Sequence, residues 1–145
     1  MKVCEEFYIN GEWVKPVNGL KTLDVINPAT EEVFGRIALG DKDDVDAAVE
    51  AAYSAFETFG FSSVEERISL LEKILEVYQG KYDEIAETIS SEMGAPIGLS
   101  KAAQAATGLG HFSTALETLK NYKFEEVKGS ALIRKEPIGV VGMIT

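Results

Sequence analysis

Cysteine is almost missing from this chain. Cys4 is the only one in 145 residues, so no internal disulfide staples the fold and no thiolate cluster can hold a metal. A lone thiol near a terminus is either reactive or a bystander, and the bystander is the favoured reading. Histidine is equally scarce: His111 has no second imidazole or thiol with which to complete a zinc set. Basic charge is in deficit, with 14 Lys and Arg against 24 Asp and Glu and a net charge of −10. Such a balance repels phosphate backbones and anionic lipid, which argues against nucleic acid and membrane as partners. No apolar run reaches the length of a membrane span, and Met1-Lys2 leads into Glu5 and Glu6 rather than an apolar signal core, so the expected compartment is the cytoplasm. Internal repeats, low-complexity tracts and Pro- or Ser-rich linkers are also missing, so one cooperative unit is expected.

What remains is 46% hydrophobic and 26% charged, the composition of a globular chain large enough to bury a core. The first forty residues predict short strands. Phe7-Tyr8-Ile9 and Glu12-Trp13-Val14 flank Asn10-Gly11, the dipeptide preferred in a type I′ hairpin turn. A second pair spans 23–26 and 33–38, joined through Asn27-Pro28-Ala29-Thr30. Pro28 lacks an N–H and biases Asn27 toward extended geometry, so pairing should stop there.

The middle is helical. Asp41 and Asp44 make an acidic helix start, followed by Val45, Ala48, Val49, Ala52, Tyr53 and Phe56 at helical spacing, which predicts one buried stripe. Ser63-Val64-Glu65-Glu66 reads as a capping box opening a second helix with Ile68, Leu71, Leu75 and Tyr78 on its inner face. A third helix carries Tyr82, Ile85, Ala86, Ile89 and Met93 and is stopped by Gly94 and Pro96. Ser100 is expected to cap a fourth, running to about Lys120. That helix is rich in Ala and carries Gly108 and Gly110, best explained by close packing against another backbone. A phosphate-loop reading of Gly108-Leu109-Gly110 fails, because a dinucleotide fingerprint follows a strand and these glycines lie inside a helix.

After Tyr122 the pattern returns to β. Residues 123–136 predict a hairpin turning at Gly129-Ser130. It is either an arm offering its open edge to another chain or a hairpin folded back on its own helices. The final stretch, "KEPIGVVGMIT", ends in a near-continuous apolar run over 138–145, the signature of a strand buried on both faces. Among the carboxylates, most belong to helix starts and outward faces. Glu92 is badly placed for the dipole of the helix it ends, which hints at a compensating cation, solvent exposure being the plainer alternative.

The segments "YINGEWV", "VINPATEEVFGRIALGDKDDVDAAVEAAYSAF", "SSVEERISLLEKI", "EMGAPI" and "KEPIGVVGMIT" resemble, in order and spacing, the N-terminal portion of the NAD(P)-dependent aldehyde dehydrogenase family. The resemblance covers essentially the whole chain. It implies an α/β fold, the N-terminal part of the cofactor domain. That part would hold β-hairpins, four helices, an oligomerisation hairpin and the first strand of a Rossmann-like sheet, divided as 1–120, 121–137 and 138–145. In the family the apolar strand runs directly into a Pro-Trp-Asn motif, so the resemblance implies a chain stopping inside that strand.

Residue by residue, the likeness assigns cofactor contact to Ile144 and Thr145, and a monovalent cation, K⁺ or Na⁺, to the carbonyls of Val25 and Ile26 with the carboxylate of Glu92. Other members often carry aspartate at that last position. The implied activity is oxidation of an aldehyde to a carboxylic acid with NAD or NADP through a cysteine thioester. The cysteine and the glutamate base belong to a later portion of the family, and Cys4 does not match the nucleophile. The 145 residues alone are therefore expected to be inactive, the hairpin is expected to serve a homo-oligomer, dimer or tetramer, and a second class of reading is a non-catalytic interaction module.

Overall fold

The computed structural model describes residues 2–144. Asn10 and Gly11 both take positive φ, 54° and 81°, the geometry that matches the right-handed twist of flanking strands. They close β2 (Phe7–Ile9) onto β3 (Glu12–Val14), pairing Phe7 with Val14 and Tyr8 with Trp13. The rings of the second pair sit 5.2 Å apart on the outer face.

A second sheet has the strand order Lys2–Cys4 (β1), Glu32–Ala38 (β5) and Thr22–Asn27 (β4). β4 (Thr22–Asn27) and β5 (Glu32–Ala38) run antiparallel, and β4 ends at Asn27, ahead of Pro28. β1 (Lys2–Cys4) lies parallel to β5, a pairing that a three-residue strand does not advertise in sequence. Lys2 ties this sheet to the third helix through a 2.8 Å hydrogen bond to the Thr88 hydroxyl.

α1 (Lys42–Phe59) starts at a capping box: Asp41 accepts from Asp43 N–H at 3.0 Å, and the Asp44 carboxylate accepts from Asp41 N–H at 2.9 Å. Asp44 also accepts from Val17 N–H at 2.9 Å, which pins the loop after β3 to the helix start and explains why this carboxylate is buried. The predicted buried stripe is corrected here. Val45, Val49 and Tyr53 are half or more exposed, because α1 meets little beyond the β2–β3 hairpin among the described residues.

α2 (Val64–Gly80) begins at the Ser63 capping box, with Ser63 N–H donating to Glu66 at 2.7 Å and Glu66 N–H to Ser63 Oγ at 3.1 Å. α3 (Tyr82–Met93) ends at Gly94 in the left-handed conformation, φ 72°. The expected fourth helix is present but starts earlier: α4 (Ile97–Leu99) continues through a π-helical turn (Ser100–Gln104) into α5 (Ala105–Asn121). Ser100 is therefore no cap. It is fully buried within the π turn, with its Oγ on Gln104 Oε1 at 3.1 Å. Gly108 packs against a side chain, since a Cβ there would occupy the space of the Tyr78 phenol oxygen, and Gly110 faces open space.

The core is built on small residues. Ala86, Ala105 and Leu116 are buried where α2, α3 and α5 meet, and Ala38 on β5. β6 (Glu125–Lys128) and β7 (Ala131–Arg134) form the predicted hairpin, exposed along its length. Among the described residues only its base is anchored, by Arg67 over the Phe124 ring at 4.8 Å and Lys135 over Tyr122 at 4.5 Å. The predicted buried strand from Ile138 is corrected: residues 138–144 have no ladder partner among the described residues, and Ile138, Met143 and Ile144 are 90% or more exposed. Strand geometry needs a hydrogen-bonded neighbour as well as apolar side chains, and none of the three sheets includes this run among the described residues.

Candidate cation and cofactor site

Two chain reversals come together beside the sheet. The first follows β4. Asn27 O accepts from Thr30 N–H at 3.3 Å and from Glu31 N–H at 2.8 Å, while its side chain accepts from Ala29 N–H at 2.9 Å. Within β4 the register slips between Val25 and Ile26, and a bulge of this kind withdraws main-chain groups from the ladder. The second reversal ends α3. Gly94 N–H donates to Ser90 O at 3.0 Å, and Ser90 Oγ to Ala95 O at 2.7 Å. The two pack directly, for a Cβ built on Gly94 would lie 2.7 Å from Pro28 Cγ.

This contact brings the α3 end that bears Glu92 to the β4 end that bears Val25 and Ile26. Glu92 occupies the last turn of α3, where no basic residue offsets the helix dipole. Its side chain is exposed and makes no hydrogen bond or ion pair among the described residues. Val25 is half-buried and Ile26 is 46% exposed. No group of three His, Cys, Asp or Glu is arranged for a metal among the described residues. The oxygens this junction offers are one carboxylate, the carbonyl end of a helix and the main chain beside the bulge. Hard oxygen donors with a single formal charge fit an alkali cation and suit zinc or a redox metal poorly.

The residues expected to contact the cofactor lie elsewhere. Ile144 is 97% exposed at the end of the unpaired tail, with main-chain groups that no ladder consumes. Thr145 lies outside the described residues. Cys4 is exposed on β1 beside a cleft of about 640 Å³ that it shares with Val3, Trp13, Lys15 and Leu20, remote in the chain from every residue above. His111 is exposed on α5. Sequence reasoning missed the bulge and the Gly94–Pro28 contact; the proline ending one element and the glycine ending another were visible, their meeting was not.

The aldehyde dehydrogenase family profile matches residues 13–145. The chain belongs to the aldehyde dehydrogenase family. A candidate aldehyde dehydrogenase of Staphylococcus aureus (bovine strain RF122 / ET3-1) is 51% identical over 138 residues, covering 95% of this chain and 29% of its own length. An aldehyde dehydrogenase from Bartonella henselae superposes with a TM-score of 0.86 at 42% identity, over 90% of this chain and 28% of that one. A cysteine-to-alanine mutant of aldehyde dehydrogenase C from Pseudomonas syringae, solved with NAD⁺ and octanal, gives 0.90 at 38% identity, over 93% and 28%. The chain thus spans under a third of the length of these aldehyde dehydrogenases, and its strands and helices match their N-terminal part. No helix among the described residues is long and apolar enough to cross a membrane.

Proposed function

We propose that this chain supplies the N-terminal portion, residues 1–120 with the hairpin of 121–137 and the strand-forming stretch of 138–145, of a cytoplasmic NAD(P)⁺-dependent aldehyde dehydrogenase. The whole enzyme oxidises an aldehyde to a carboxylic acid. The observation that carries the reading is the joint likeness to a relative 51% identical and to an enzyme solved with NAD⁺ and octanal. The chemistry supplied by a bound nicotinamide is acceptance of a hydride from the substrate.

In this reading the chain's residues bind and position. The main chain at Ile144 and Thr145 lies along the cofactor, in the strand that forms once a neighbour completes the ladder. The carbonyls of Val25 and Ile26, with Glu92, hold K⁺ or Na⁺ at the junction of β4 and α3 and so fix the sheet against the helical layer. The hairpin, exposed on both strands, pairs its edge with a second copy in a homo-oligomer. Neither Cys4 nor any Glu of this chain acts as nucleophile or base, so the 145 residues alone oxidise no aldehyde.

The test is a panel of aliphatic and aromatic aldehydes with NAD⁺ and with NADP⁺. The purified 145-residue chain should yield no reduced cofactor, and its fusion to the remaining length of an aldehyde dehydrogenase should. Turnover by the chain alone refutes the division of roles, and silence of a folded fusion across the panel refutes the enzyme assignment.

A further inference from the structure

The π turn at Ser100–Gln104 is where the helical layer departs from regular geometry. Such turns are rare and occur as single-turn bulges inside α-helices, so something local must favour one over the straight alternative. The N–H of Ala105 donates to Ser100 O, five residues back. Two tyrosine hydroxyls from other helices reach this stretch: Tyr82 of α3 donates to Lys101 O at 2.5 Å, and Tyr78 of α2 to Ala105 O at 2.9 Å. The Tyr78 phenol fits only because Gly108, almost one turn further along α5, has no side chain. Lys101 adds a 2.8 Å ion pair to Asp83, and Gln104 a 3.9 Å contact to the Met93 sulfur, both on α3.

We propose that Tyr78 and Tyr82 form a latch that holds the helix in π register at Ser100–Gln104. Without the hydroxyls the segment relaxes to α geometry, in which Ala105 N–H bonds to Lys101 O instead. The turn then loses one residue of winding, and α4 rotates against α5 by about 100° with a shift of about 1.5 Å. α4 follows Gly94 and Pro96 directly, so the latch sets how the end of α3, with Glu92, sits on Pro28. Tyr78 and Tyr82 are positioning residues in this scheme, and the inference does not depend on the proposed enzymatic role.

The test is the Tyr78→Phe/Tyr82→Phe double variant of the 145-residue chain, which keeps both rings and removes two hydroxyls. The readout is the pattern of amide–carbonyl couplings and exchange rates over residues 100–106, measured by NMR. The latch predicts loss of the Ala105-to-Ser100 bond in favour of Ala105-to-Lys101, and a persisting Ala105-to-Ser100 bond in the folded variant overturns it. A global loss of stability with the Ala105-to-Ser100 bond intact overturns it. Gly108→Ala in the Tyr82→Phe background, which displaces the Tyr78 hydroxyl without altering Tyr78 itself, supplies a second reading: the same change of register supports the latch, and an unchanged π turn overturns it.

Discussion

Replacing Gly94 by alanine acts on the junction through two separable effects. The first is backbone strain: φ is 72°, and holding a side chain in the left-handed region costs about 1–2 kcal/mol. The second is steric, because the new Cβ would sit 2.7 Å from Pro28 Cγ, both atoms lie in tight turns, and overpacking of this kind costs about 1–3 kcal/mol. Together they predict a loss of about 2–5 kcal/mol. With a urea m-value of about 2 kcal/mol/M, the midpoint should fall by roughly 1–2.5 M. Gly94→Asn separates the terms, since asparagine tolerates the left-handed region yet carries the same Cβ. Pro28→Ala should recover part of the steric loss in a double-mutant cycle, with a coupling of about 1 kcal/mol. Gly98→Ala is the control, because nothing lies within 4 Å of its Cβ and its φ is not positive. A Gly94→Ala midpoint within error of the parent would refute the packing of α3 on the β4 turn.

Three further outcomes follow from named contacts. Ser63→Ala removes the hydroxyl half of the α2 capping box and should cost about 1 kcal/mol, read as a lower thermal midpoint; no change would mean that the box is not formed in solution. Asp41 is held below its ordinary carboxylate range, chiefly by the Asn18 side-chain amide. Its stabilising effect is therefore complete above that range and lost as pH falls through the depressed value, so the stability gap between the parent and Asp41→Ala should be flat near neutrality and close in acid. A gap that widens on acidification would reverse the assignment. For the cation, KCl or NaCl should raise the thermal midpoint above an equal concentration of choline chloride, and Glu92→Gln should abolish the difference; an equal response in the variant would remove Glu92 from the site.

Local chemistry was legible in the sequence and mutual placement was not. Asn10-Gly11, the acidic helix start at Asp41, the Ser63 box and Gly94 each encode their geometry within four residues, and each appears where the sequence puts it. The α1 stripe shows the limit: periodicity reveals that Val45, Val49 and Tyr53 share a face and says nothing of what covers it. The tail fails for the same reason, apolar character predicting burial that only a neighbouring strand can deliver. The π turn leaves no trace in the Ala-rich run around it, because the hydroxyls that meet it come from Tyr78 and Tyr82, some twenty residues earlier. Glu92 was visible as a charge at the wrong end of its helix; the strand bulge opposite it was not.

The most direct trial of the account is an exchange. This chain would replace the matching N-terminal segment of Pseudomonas syringae aldehyde dehydrogenase C with its cysteine intact, and NADH formation from octanal would be followed. The account predicts a folded chimera that produces NADH in proportion to octanal. A folded chimera that binds NAD⁺ yet produces none would contradict it.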